Sequence, residues 1–121
     1  MKLAAIPDEE AIALNNLAQL FHATNRLAEA EPLLQRALAI EEQYKGSNRH
    51  NIAVHLNNLA LLLQATNRLA EAERLMRRAL AIEEQSNGAK HPDVAVPLDN
   101  LAKLLLTTNR LAEAEPLMRR A

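Results

Sequence analysis

The sequence predicts an all-α fold, a tandem array of helix hairpins, on three observations. First, two unrelated blocks recur in one register. Leu14-Asn15-Asn16-Leu17-Ala18 returns as Leu56-Asn57-Asn58-Leu59-Ala60 and then as Leu98-Asp99-Asn100-Leu101-Ala102. Thr24-Asn25-Arg26-Leu27-Ala28-Glu29-Ala30-Glu31 returns unchanged from Thr66 to Glu73 and from Thr108 to Glu115. Second, apolar residues inside each unit recur at three- and four-residue spacing, the signature of a helix with one buried face. Third, the apolar half of the composition is mostly Ala and Leu, while aromatics make up only 2%. Alanine and leucine are strong helix formers, and small residues let helices approach closely. The chain reads as one array over residues 1–121, with units of about 8–49, 50–91 and 92–121, the last one short.

Each unit is predicted to be two helices, A and B, best seen in the second. Ile52, Leu56, Leu59, Ala60 and Leu63 give helix A its apolar face. Thr66-Asn67-Arg68 then breaks the pattern. Asparagine tolerates the left-handed conformation that ends helices, so Asn25, Asn67 and Asn109 are expected to make the turns. Helix B follows with Leu69, Ala72, Leu75, Met76, Ala79, Leu80 and Ile82, and is expected to outlast helix A. Glu71 and Glu73 sit near its positive end, with Arg77 and Arg78 further along. It should stop near Gly46 in the first unit and Gly88 in the second. Pro92-Asp93 suits the first turn of the next helix A. Pro32, Pro97 and Pro116 each fall about five residues into a helix and are expected to bend it.

Composition excludes several function classes. Acids and bases nearly balance and are interspersed, so no broad basic field exists to draw nucleic acid or a membrane surface. The Arg74, Arg77 and Arg78 cluster, with Arg36, Arg119 and Arg120, lacks the aromatic companions of a nucleic-acid site. Glu71, Glu73 and Glu84 lie near enough for helix-spaced ion pairs instead. With no cysteine and two glycines, no thiolate metal site, cysteine nucleophile or glycine-rich phosphate loop can be assembled. The stretch from Met1 to Ile6 is too short for a signal peptide, and no apolar run is long enough to span a membrane. A soluble, cytoplasmic protein is expected.

His22, His50, His55 and His91 offer no metal-binding spacing. His50 and His55 lie five apart and have no acid at three or four residues, so solvated or turn positions and no metal are expected. The pairs Glu41/Glu42 and Glu83/Glu84 look alike and exposed, unlike an acid and base tuned apart, and read as a solvated face. No enzyme and no cofactor are expected.

The helix A block, the Arg-Leu-Ala-Glu-Ala-Glu turn, the runs Arg36 to Glu42 and Arg78 to Glu84, and the linker His91-Pro92-Asp93-Val94-Ala95 together resemble the tetratricopeptide repeat. The likeness is to the 42-residue form of kinesin light chains and many bacterial proteins, and it covers residues 8 to 121. It implies a right-handed α-solenoid whose A helices line a concave, peptide-holding surface. The family binds many unrelated ligands, so the resemblance speaks for fold more than for a particular partner. Leucine replaces the usual helix A aromatics apart from Phe21, asparagine replaces the turn glycine, and the sequence stops inside the third helix B, like a fragment or an engineered minimal array.

On that resemblance Asn16, Asn58 and Asn100 are expected to face a peptide, since a carboxamide both donates and accepts. Ile12, Val54 and Val96 share their stripe by helical spacing. Gln19, Leu61, Lys103, His22 and Gln64 would tune specificity. Asn15 and Asn57 lean towards the repeat interface. The same asparagines could instead bond neighbouring helices and hold the repeats in register, a role that would also make them recur.

A second class of function stays open, a structural or self-assembling module with no ligand of its own. Leu104, Leu105, Leu106, Leu111, Leu117 and Met118 have no following helix A to cover them, so self-association through this end is expected, by stacking or by exchange of a hairpin.

Overall fold

The structure is a computed structural model that describes residues 7–43, 49–88 and 90–120, with side chains from Glu9 onward. Among the described residues six α-helices follow in order: α1 (Pro7–Ala23), α2 (Leu27–Gln43), α3 (Arg49–Ala65), α4 (Leu69–Asn87), α5 (Ala95–Thr107) and α6 (Leu111–Arg120). A 3-10 turn, Pro92–Val94, precedes α5. Helices pack in sequence as three hairpins, α1 on α2, α3 on α4 and α5 on α6, and the hairpins join where α2 meets α3 and α4 meets α5. The fold is an all-α solenoid.

The turns follow from the repeated Thr-Asn-Arg. Asn25, Asn67 and Asn109 have φ of 60°, 62° and 59°, the left-handed conformation expected of them. The Arg26 amide donates to Phe21 O at 2.6 Å and the Asn25 amide to His22 O at 3.0 Å. This double closure satisfies carbonyls that the end of a helix leaves open. It recurs at Arg68–Leu63 and Asn67–Gln64, and at Arg110–Leu105 and Asn109–Leu106. The hydroxyls of Thr24, Thr66 and Thr108 donate back into the preceding turn. In the second unit α4 does end at Gly88, with φ 86° and its amide bonded to Glu84 O. The end expected near Gly46, like Tyr44, lies outside the described residues.

The core is one cluster running through all three hairpins. Leu56, Ala60 and Leu63 of α3 and Ala72, Met76, Ala79 and Leu80 of α4 are buried, as the periodicity predicts. A second set is covered by the preceding hairpin. Leu59 and Leu62 are buried, as are their third-repeat equivalents Leu101 and Leu104, whereas Leu17 and Leu20 at the same positions of α1 are 42% and 57% exposed. Each fully buried leucine contributes roughly 1.5–3 kcal/mol over an exposed one, so these junctions hold the array together.

The expected length order holds in the second hairpin, where α4 has 19 residues against 17 in α3; α2 and α6 both end beside residues outside the described set. The proline expectations change in the third hairpin. Pro92 opens a 3-10 turn rather than the α-helix itself, with His91 Nδ1 accepting from the Asp93 amide at 3.1 Å. Pro97 is therefore the third residue of α5, not the sixth, and lies in a first turn whose amides have no intrahelical partner. Pro32 and Pro116 do fall inside their helices, which run on past them unbroken.

Candidate functional site

The exposed side of the A helices carries the stripe that sequence spacing places there. Ile12, Val54 and Val96 remain exposed at 44%, 36% and 60%, too apolar to be there for solubility alone. Asn16, Gln19, His22, Leu61 and Lys103 are exposed, and Asn58, Gln64 and Asn100 half-buried. Two hollows break this surface. One of about 130 Å³ between α1 and α3 brings together Gln19, His22, Asn58 and Leu61. The other, about 280 Å³, lies between α3 and α5 and is lined by Val54, Asn57, Asn58 and Val96 along with charged residues. Asn58 borders both, whereas Asn16, Gln64, Asn100 and Lys103 border neither; Lys103 pairs with Asp99 at 2.8 Å.

One asparagine pair takes the register-holding role that the sequence leaves open. Asn58 Nδ2 donates to Asn15 Oδ1 across the first repeat junction at 2.9 Å, while Asn58 stays half-buried beside both hollows. Asn15 and Asn57 are nearly buried, at 8% and 7% exposure. Asn57 stands where Asn15 stands one repeat earlier, yet its buried Oδ1 has no hydrogen-bond partner among the described residues.

Polar burial departs most from the sequence expectation. Glu41 and Glu83 are buried, at 0% and 2% exposure, rather than on a solvated face. Each continues the buried stripe of its helix, Leu34-Leu38-Glu41 and Met76-Leu80-Glu83, so the first residue of each Glu pair points inward and the second outward. His55 is also buried, not solvated, with Nε2 3.9 Å from Glu41 Oε1 at the first junction. At the equivalent place of the second junction stands Pro97. Glu83 meets His50 instead: Nδ1 to Oε2 is 2.8 Å, and Asp93 Oδ2 lies 3.6 Å from the same Nδ1. The spacing rule looked for acids on the helix of His50, but these come from α4 and the 3-10 turn. The repeat period was the available signal, because Glu83 falls where Glu41 falls.

Elsewhere on the surface, charges pair across repeats as well as along helices. Arg68 bridges Glu31 and Glu71 at 2.6 and 2.7 Å, and Arg110 bridges Glu73 and Glu113. Arg78 reaches Glu42 and Arg120 reaches Glu84, while Arg77–Glu73 at 2.9 Å and Arg119–Glu115 at 2.5 Å are helix-spaced pairs. Burial opposes ionisation of Glu73, but hydrogen bonds from Arg77 and Arg110 outweigh it and hold its carboxyl below the usual range. The hydrogen bond from Arg110 does the same for Glu113. Arg26 also stacks 4.4 Å from the Phe21 ring centroid.

The last hairpin corrects the expected self-association surface. Leu104 and Leu105 are fully buried, because Leu104 faces the preceding hairpin and Leu105 occupies the position of Leu63, inside its own. Leu106, Leu111 and Met118 are 39%, 59% and 51% exposed and line an open hollow of about 340 Å³ with Glu115 and Arg119. Leu117 is half-buried. Among the described residues no helix is long and apolar enough to cross a membrane.

Comparison with known proteins gives one family and one fold. The tetratricopeptide repeat profile matches residues 9–85 and 52–121. No curated protein matches the chain. Solved structures include one of kinesin light chain nearly identical TPR-like repeats from Podosopora anserina, with TM-score 0.84 and 21% identity over 98% of this chain and 55% of that one. BtubC (BKLC) from P. vanneervenii gives 0.81 and 20%, over 94% and 45%. The N-terminal domain of stress-induced protein-1 from C. elegans gives 0.74 and 15%, over 97% and 85%. The chain spans about half the length of the first two.

Proposed function

We propose that this chain, which belongs to the tetratricopeptide repeat family in its kinesin-light-chain-like form, binds a peptide segment of a partner protein on the exposed side of α1, α3 and α5. The repeats of this family are in general protein-interaction modules, and the finer reading rests on the stripe. Ile12, Val54, Leu61 and Val96 stay exposed beside carboxamides at a fixed repeat position, on a face left open among the described residues. Apolar surface of this kind drives association, while Asn16, Asn58 and Asn100 supply donors and acceptors for a peptide main chain. Gln19, Leu61, Lys103, His22 and Gln64 give the surface its selectivity.

The test is a displayed-peptide selection against the chain, followed by Leu61→Asp and Asn100→Ala. Both positions lie outside the core, so far-UV circular dichroism should be unchanged while retention of the selected peptide falls about tenfold or more. Retention equal to wild type in both variants would contradict this placement.

The hollow at Leu106, Leu111 and Met118 favours a second reading, in which copies of the chain stack end to end. The exposed Leu17 and Leu20 of α1 would then occupy the place that α5 holds on α4. Light scattering across concentration decides it: a mass that stays at 13.4 kDa removes the stacking reading.

A further inference from the structure

We propose that the hollow at the second repeat junction is a divalent-cation site, with His50, Glu83 and Asp93 as protein ligands and a first-row transition ion such as Zn²⁺ as occupant. Their donor atoms, one from each residue, all lie within 4.8 Å of one another. The His50 Nδ1–Glu83 Oε2 and His50 Nδ1–Asp93 Oδ2 separations are 2.8 and 3.6 Å. Ligands bound tetrahedrally to zinc at its usual bond lengths stand about 3.3 Å apart, a value these two bracket. The three residues come from α3, α4 and the 3-10 turn, so an ion would tie the second hairpin to the third.

Proximity of acids is a weak argument alone, and a second observation points to a ligand. Asn57 is only 7% exposed and lines the same hollow, and its Oδ1 has no hydrogen-bond partner among the described residues. Glu83 Oε1 is buried in the same state. A buried acceptor without a donor is costly, and both are acceptors, so the hollow calls for positive charge or for protons. A partly hydrated ion supplies both, directly to Glu83 and through a bound water to Asn57. At about 280 Å³ the hollow has room for the ion with several waters of roughly 30 Å³ each. Imidazole among the ligands favours zinc-like ions over Mg²⁺ or Ca²⁺.

The first junction shows that this is not a general property of the repeat. The residues at the same repeat positions there are Asp8, Glu41 and Asn51, without an imidazole. His55, which approaches Glu41, is replaced at the second junction by Pro97, which lines the hollow and brings neither a polar side chain nor an amide hydrogen.

The test uses the full, untagged chain stripped of metal, titrated calorimetrically with Zn²⁺ alone. One ion per chain should bind, with the melting temperature raised by Zn²⁺ and not by equal Mg²⁺. His50→Ala and Asp93→Asn should each weaken Zn²⁺ binding about tenfold or more, while Glu115→Gln, distant on α6, should leave it unchanged. Asp93 is half-exposed, so Asp93→Asn decides the matter should His50→Ala unfold. Absence of saturable Zn²⁺ binding in the wild type, or affinity unchanged in the folded variants, would overturn the proposal.

Discussion

The first repeat junction, where α2 meets α3, and the second, where α4 meets α5, are built alike in their apolar parts and differently in their polar ones. Leu59 and Leu62 enter the first junction as Leu101 and Leu104 enter the second, all buried. The first sets the buried His55 Nε2 3.9 Å from the buried Glu41 Oε1 and bonds Asn58 to Asn15. The second puts Pro97 where His55 stands, leaves Asn57 Oδ1 without a partner among the described residues, and opens a hollow onto Glu83. Apolar burial is non-directional and tolerates repetition, so it sets the stacking. Polar contacts depend on individual side chains, so exchanges at a few repeat positions give the two seams different polar surroundings.

The largest expected effects sharpen the shared part. Leu62→Ala and Leu104→Ala should each lower stability by about 2–5 kcal/mol in urea denaturation, and by similar amounts. Leu20→Ala, at the same repeat position but 57% exposed, should cost under about 0.5 kcal/mol. Unequal costs for the first two would break the apolar equivalence of the junctions.

Smaller effects probe the polar difference. His55→Ala removes the imidazole beside a fully buried carboxylate and should cost about 1–3 kcal/mol. Asn15→Ala loses the bond from Asn58 and should cost about 1 kcal/mol, whereas Asn57→Ala loses no bond at Oδ1 and should cost less by the same measurement. Reversal of that order would contradict the polar difference between the two seams.

The smallest effect belongs to the exposed ion pairs outside both seams. The depressed carboxyls of Glu73 and Glu113 add stability that is present above their unfolded pKa and lost as pH falls through the lower folded value. Circular dichroism over acid pH should therefore show part of the helicity lost below about pH 4.5. Arg110→Ala should shrink that dependence and leave the stability at neutral pH little changed.

Whatever depends on neighbours in the chain was legible in the sequence. Asn25, Asn67 and Asn109 took the left-handed turn because the side chain and its local hydrogen bonds decide it. The apolar faces of α3 and α4 followed from spacing, and so did the exposure of Ile12, Val54 and Val96. What depends on the neighbouring repeat was not. Glu41 and His55 looked solvated because each is polar and its partner arrives from another hairpin. Leu104 and Leu105 looked uncovered because their coverage depends on helix phase against α4 and within the hairpin. For the residues of the proposed peptide surface, the repeat register sets position along the A helices; binding there is the proposal to be tested.

The most direct test of the difference between the junctions is an amide and imidazole NMR titration of the full chain with Zn²⁺. The account predicts shifts concentrated at His50, Val54, Asn57, Glu83, Asp93 and Val96, with Asn15, Glu41 and His55 left in place. Equal shifts at both junctions, or none at either, would contradict it.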